Sequence, residues 1–244
     1  MNRLTASIWG RPKKGKSYFP LTFPGPIDWI EIGESGSEHL VGLFPDKDIR
    51  VHRLSIRALT PQLGHYQKLL NAFEEVYFKA IDPESDTRTL IIDSASPLWK
   101  AVRTVKVAEQ EMIAKADLGR KTNKKMLTDY ELANIYFEQI VNMALAKPNL
   151  NLILTHRDRE TWEKDDDGQL HASGKFEPRE FKDVQFLVQV TIHAGSAQVT
   201  NPKTGEREEV PCHEIELCAP KKSLEGRRVN YLDYEKLMKL IGGE

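Results

Sequence analysis

The run Gly10-Arg11-Pro12-Lys13-Lys14-Gly15-Lys16-Ser17 fits G-x-x-x-x-G-K-[ST] at every fixed position. Each fixed position has a physical reason. Gly10 and Gly15 let the backbone wrap closely, so that successive N–H groups converge on phosphate oxygens. Lys16 is placed to neutralise β- and γ-phosphates, and the Ser17 hydroxyl to ligate Mg2+. A helix starting near Lys16 would aim its positive end at the same phosphates. The expected cradle is Gly10, Arg11, Pro12, Lys13, Lys14, Gly15, Lys16, Ser17 and Tyr18. Lys13 and Lys14 fill variable positions and carry no role of their own.

A triphosphate site of this kind needs a second magnesium partner, expected as an acid closing a buried strand beside the first. Leu90-Ile91-Ile92-Asp93 has that form, and Asp93 would hold the metal through water. The following residue is Ser94, so a water-activating carboxylate must come from elsewhere. The segment Glu31-Ile32-Gly33-Glu34-Ser35-Gly36 supplies it. Ligands collect at strand C-termini, and Glu34 falls where a second strand ends, which makes it the expected general base. Glu31 and Glu38 are the fallbacks.

These residues need elements to position them. Leu4–Trp9 reads as a buried strand running into the glycine loop. The helix after Ser17 should be short or kinked, because Pro20 and Pro24 follow. Strands are expected over Ile27–Ile32, Ile49–Leu54, Thr89–Asp93 and Leu150–Thr155. Helices are expected over Gln67–Ala80, Pro97–Lys115 and Thr128–Ala146, the last with Thr128 as N-cap and Glu131 completing a capping box. Polar loop is expected from His156 to about Asp183. Strands over Gln185–Ala194 and Glu214–Ala219 then flank turn signals at Asn201-Pro202 and Thr204-Gly205, and a helix covers Tyr234–Ile241. Helices alternating with strands imply an α/β fold, a parallel central sheet with helices on both faces.

Bulk properties bound the function. The chain has 244 residues, 40% hydrophobic and 29% charged, with a formal net charge of -1. That suits one domain, residues 1–244, with a core over about 4–195 and a small β-rich hairpin and helix over about 196–244. Near-neutral charge leaves nucleic-acid binding to local patches. Cys212 and Cys218 form neither a disulfide framework nor a zinc pattern, and on one regular strand they would share a face. No apolar run approaches a bilayer span, and the N-terminus is too polar for a secretory signal, so the expected compartment is the cytoplasm.

GRPKKGKS, EIGES, LIIDSAS and LNLILTHR, in that order, resemble the core of RecA-type P-loop ATPases. The likeness is greatest to phage-encoded RecA-like ATPases of recombination and single-strand annealing, and it covers roughly residues 4–195. It implies an ATP hydrolase with Mg2+, in the host cytoplasm if phage-encoded. By resemblance, Asp93-Ser94 stands for the family's Asp-Ser pair and Glu34 for its glutamate on the earlier strand. Thr155 and His156 occupy the strand end that senses the γ-phosphate. Two departures stand out. Pro20 interrupts a helix the family continues, and His156 stands where RecA itself carries glutamine.

The resemblance also implies single-stranded DNA as partner, self-association into a ring or filament, and contact with a single-strand-binding protein. Two basic regions fit DNA loops. One runs from Ser94 to Leu127 and includes Lys100, Arg103, Lys106, Arg120, Lys121, Lys124 and Lys125. The other runs from His156 to Lys182, with Arg157, Arg159 and Lys175, and with Trp162 and Phe176 available to stack on bases. In RecA-type assemblies a neighbour contributes a cation to the nucleotide; Lys221 and Lys222 are favoured for that role, with Arg227 and Arg228 beside them. The alternatives are another oligomeric P-loop motor or regulator (helicase loader, packaging or clock-type ATPase) and a small-molecule kinase.

Overall fold

The structure is a computed structural model and describes residues 3–33, 36–116, 129–165, 168–179, 184–201 and 205–242. Three short strands are buried along their whole length: β1 (Thr5–Gly10), β2 (Ile27–Ile32) and β4 (Thr89–Asp93). Such strands read as nearly continuous apolar runs because both faces are covered. β3 (Ile49–Leu54) is only half-buried, and it lies at the sheet edge. The remaining strands are β5 (Asn151–Lys164), β6 (Leu170–Pro178), β7 (Val190–Thr200), β8 (Arg207–Cys218) and β9 (Arg227–Asn230).

The strand order is β3-β2-β4-β5-β1-β7-β8-β9, with β6 paired to β5 off this path. From β3 to β7 all pairings are parallel. β8 is antiparallel to β7, and β9 to β8. The expected parallel sheet is therefore present, and the expected C-terminal extension is its continuation: the boundary near residue 195 falls inside β7. One expectation needs correcting. β4 does not lie beside β1, because β5 separates them.

Helices cover both faces. α3 (Leu63–Ile81), α4 (Ala95–Ala116), α5 (Asp129–Ala146) and α6 (Val184–Leu187) pack on one. On α3 the buried residues Leu69, Leu70, Phe73, Tyr77 and Ala80 form a single helical stripe. They meet Leu98, Trp99 and Val102 of α4, and Phe137 and Val141 of α5, in the largest core cluster. The opposite face carries α1 (Tyr18–Leu21), α2 (Ser37–Val41) and α7 (Tyr234–Gly242). Among the described residues, no helix is long and apolar enough to cross a membrane.

The structure departs from the sequence expectations at three places. The stretch from His156 to Asp183 is largely a β-ribbon, formed by the outer half of β5 and by β6. Its residues are mostly exposed on both sides, so no apolar alternation announced it, although Gly168 turns with φ 77 between the two strands. Residues 184–187 are a short helix rather than the start of a strand. Cys212 and Cys218 lie on opposite faces of β8, because the register with β7 shifts between Thr191 and Ile192 and leaves Glu216 as the extra residue. Both thiols are free and buried. Thr128, the expected cap of α5, lies outside the described residues.

Candidate phosphate-binding site

Parallel strands end at a common edge, and the candidate residues gather there. β1 runs into the loop at Gly10, whose φ is 140. A Cβ at Gly10 would collide with the backbone carbonyl oxygen of Ala194 on β7, so only glycine fits. Lys13 and Gly15 also have positive φ, 63 and 87, which folds the loop back on itself. Lys16 Nζ donates to the carbonyl oxygens of Gly10 and Arg11, at 2.7 and 2.8 Å. The ammonium group thus lies across the loop's mouth. The first helical hydrogen bond, from Phe19 N–H to the Gly15 carbonyl, is 3.0 Å. α1 is a single turn, as Pro20 leads one to expect, and Lys47 Nζ closes its end on the carbonyls of Leu21 and Phe23. So short a helix brings few aligned dipoles, and any anion held here would depend mostly on the N–H groups of the loop.

Glu31, Asp93 and Thr155 form a row on the sheet face that carries α1. Glu31 is the register partner of Asp93 across β2 and β4. Thr155 of β5 donates its hydroxyl to Asp93 Oδ1. Thr155 is also the register partner of Ile8, two residues before Gly10 on β1. At a strand spacing of about 4.8 Å, Asp93 is roughly 10 Å from β1. Asp93 is 3% exposed. Glu31 is committed to the fold. Its carboxylate accepts the N–H groups of Gly36 and Ser37 at 2.9 and 3.0 Å and the Ser37 hydroxyl at 2.7 Å, and Arg53 Nε lies at 3.3 Å. Glu38 is exposed and pairs with Arg53 at 2.9 Å. Glu31 is therefore not available as a free base, whereas only an exposed ion pair engages Glu38. Glu34 lies outside the described residues, directly after Gly33 at the end of β2.

His156 departs from expectation. Alternation along β5 sends Thr155 toward Asp93 and His156 to the other face, beside its register partner Trp9. The ring is 1% exposed, and neither nitrogen has a hydrogen-bond partner among the described residues. Burial pushes its pKa down to about 4, so the ring is neutral. Thr155 is the polar residue at this strand end that faces the phosphate-loop side.

Two hairpins flank the loop, because β5 and β7, the neighbours of β1, both continue past it. On the β5/β6 side, the guanidinium of Arg11 lies 4.3 Å above the Phe176 ring. On the β7/β8 side, Lys14 Nζ donates to Ser196 Oγ at 3.0 Å and pairs with Glu209. Neither contact is legible in the sequence, since the partners are more than 160 residues away in the chain. The β5/β6 ribbon is also tied to the start of α4. Ser96 Oγ accepts the Arg157 N–H at 3.2 Å and donates to the Arg179 carbonyl at 3.5 Å. Arg157 reaches the Gly33 carbonyl at 3.4 Å. A cavity of about 320 Å³ opens beside these contacts, lined in part by Gly33, Tyr66, Pro97, Lys100, Arg157 and Arg179.

The expected DNA-binding residues divide into two groups. Arg120, Lys121, Lys124 and Lys125 lie outside the described residues. Trp162 is 64% exposed on the ribbon. Arg159 pairs with Glu177 and Lys175 with Glu163, at 2.9 and 2.8 Å. Exposed pairs of this kind are worth about 0–1 kcal/mol and yield readily to a competing phosphate.

Of the expected trans-acting cations, Lys221 donates to the Leu240 carbonyl at 2.8 Å and Arg228 to Glu214 at 2.8 Å. Lys222 and Arg227 are exposed. Lys221 and Lys222 follow Cys218, the register partner of Val190 at the start of β7. They therefore lie at the sheet edge opposite this chain's own phosphate loop.

No protein-family model matches the chain, and no curated protein matches it. The residues themselves fit a nucleotide with magnesium. The loop is a backbone cradle where a Cβ at Gly10 is forbidden, with a lysine at its mouth. Among the described residues no three His, Cys, Asp or Glu side chains cluster as a metal site. Mg2+ on a nucleotide needs no such cluster, since phosphates and water supply most of its ligands. Ser17 and Asp93 are the residues that would hold it.

Proposed function

We propose that this protein is a RecA-type ATP hydrolase that acts on single-stranded DNA, in recombination or annealing of the phage kind. The observation that carries the reading is the grouping at one sheet edge of a glycine-walled loop with Lys16 at its mouth and a buried Asp93 held by Thr155. Sequence order and chemistry agree there: a phosphate cradle closes the first strand, and a metal-binding acid closes a later one.

In this reading the loop N–H groups and Lys16 bind the β- and γ-phosphates. Lys16 exchanges the carbonyls of Gly10 and Arg11 for phosphate oxygens. Bound Mg2+ supplies charge neutralisation on the phosphates. Thr155 orients the Asp93 carboxylate, which with Ser17 would hold the metal. Glu34 takes the proton from the attacking water, a role that rests on its place in the sequence after β2. The ribbon and the basic segment before α5 grip the strand of DNA. The tie of the ribbon to Ser96 and Gly33 would give DNA a route to the phosphate site. Lys222 and Arg227 are the exposed cations available to a neighbouring copy in a ring or filament, and a single-strand-binding protein would share the DNA.

Steady-state ATP hydrolysis with and without single-stranded DNA, at low and moderate salt, tests this. A rate stimulated by DNA, with steep salt dependence, is expected, along with loss of hydrolysis in Lys16→Ala. Wild-type turnover in Lys16→Ala would remove the ATPase reading. A DNA-indifferent rate would remove DNA and leave another oligomeric P-loop motor.

A further inference from the structure

The phosphate loop rests on a histidine. At Gly15 a Cβ would stand 3.6 Å from Nε2 and 3.7 Å from Cε1 of His213. His213 lies on β8, 2% exposed, and neither ring nitrogen has a hydrogen-bond partner among the described residues. Its ring leans on that of Phe19, the residue whose N–H begins α1, at a centroid distance of 5.8 Å.

The placement follows from the register. Alternation along β8 puts Glu209, Pro211 and His213 on one face, and Ser196 lies opposite Pro211 on β7. Lys14 is bound to Ser196 and Glu209. Consecutive loop residues, Lys14 and Gly15, thus sit on a single hairpin face. Glu209 tethers the first, and His213 lies under the second.

A buried polar group without a partner is rare in folded proteins and costs stability. A leucine or phenylalanine would fill the same space without that cost. Burial also keeps the ring neutral, with its pKa pushed down to about 4 by desolvation and then by His193. A neutral imidazole has one donor and one acceptor nitrogen, so it can pair with either a backbone N–H or a backbone carbonyl.

We propose that His213 is a positioning residue of the phosphate loop: when the loop holds an anion, a ring nitrogen of His213 pairs with the backbone of the Gly15–Lys16 turn and fixes its depth. The β7/β8 hairpin then sets the register of the N–H groups that meet the terminal phosphates. The inference rests on the reading of Gly10–Ser17 as a phosphate cradle.

The test is equilibrium binding of a fluorescent, non-hydrolysable ATP analogue with Mg2+ to the full chain, with a thermal melt for each variant. His213→Phe keeps the volume and removes the nitrogens; it should weaken binding about tenfold, the loss of one good hydrogen bond. His213→Gln keeps a donor and an acceptor and should recover to within about threefold of wild type. Wild-type affinity in His213→Phe, or equal weakening in both variants, overturns the proposal. If His213→Phe does not fold, the ring is read directly in wild type. Its imidazole NMR signals, titrated with inorganic pyrophosphate, should shift along the binding curve, and an unmoved ring overturns the proposal. Undiminished analogue binding by Lys16→Ala would refute the cradle itself and this inference with it. Loss in Lys16→Ala beside full binding in His213→Phe would refute His213 alone.

Discussion

The hydroxyl of Thr155 donates to the carboxylate of Asp93 from the adjacent strand, with both side chains on the face that carries α1. The bond fixes one carboxylate oxygen and so orients the other. Thr155→Val keeps the β-branched shape and removes the donor. Partners that orient a metal ligand are typically worth about 10–100-fold in metal affinity or activity. The expected outcome is a Mg2+ requirement for hydrolysis shifted upward by about that factor, read by titrating Mg2+ at saturating ATP. An unshifted titration would show that Asp93 needs no such support.

Glu31 and Glu34 should separate cleanly. Glu31→Ala strips the partners from the N–H groups of Gly36 and Ser37 and from Arg53, so it should cost about 2–4 kcal/mol of stability. Chemical denaturation measures that loss. Glu34→Gln should melt like wild type and bind the ATP analogue, yet turn over at least about a hundredfold more slowly, the contribution expected of a general base. Unimpaired turnover in Glu34→Gln would move the base elsewhere.

Gly10→Ala meets two obstacles, a φ of 140 and the Ala194 carbonyl. Both β1 and β7 must shift to admit the methyl group. The expected result is a loss of about 3 kcal/mol or more, accompanied by loss of nucleotide binding. Gly36→Ala meets nothing within 4 Å and serves as the control. Equal melting temperatures for the two variants would show that the loop tolerates a side chain at Gly10.

Acid should weaken the fold before it protonates most carboxylates. His156 and His213 have pKa values near 4 in the folded chain, against 6.5 unfolded. His193 is lowered as well, by burial first. Between pH 6.5 and 4 the unfolded chain therefore binds protons that the folded chain does not, and stability falls as pH drops through that window. Above it these rings are neutral in both states and contribute no slope. Each of the two deeply buried rings accounts for on the order of 3 kcal/mol across the window. Urea midpoints measured at several pH values should show the decline, and His156→Leu should flatten it. A midpoint that stays level across the window would contradict the burial of both rings.

The parallel sheet was readable because β1, β2 and β4 are buried on both faces and spell TASIWG, IDWIEI and TLIID. The tight glycine loop after β1 was readable because its fixed residues are local in sequence. What stayed hidden depends on pairing between distant segments. Nothing near Thr155 says that β5 inserts between β4 and β1, and the run DRETWEK does not reveal a ribbon whose two faces are both wet. His213 escaped notice because its partner, Gly15, is remote in sequence and the intervening register contains a bulge at Glu216. The split between Thr155 and His156 follows from period-two alternation, which becomes decisive once Asp93 fixes which face matters.

β5 is both wall and outrigger. Its inner half lies between β4 and β1, and its outer half leaves the sheet as one side of the ribbon. Pleated backbone bends easily and hardly stretches, so a pull on the far end travels inward until it reaches a bend. The register shift between Glu160 and Trp162 supplies that bend. Outside it, β5 pairs only with β6. Inside it, any movement drags Arg157, and with Arg157 the anchorage at Ser96 and Gly33. The strand is thereby divided at one place into an outer arm paired only with β6 and an inner root beside Thr155 and Asp93.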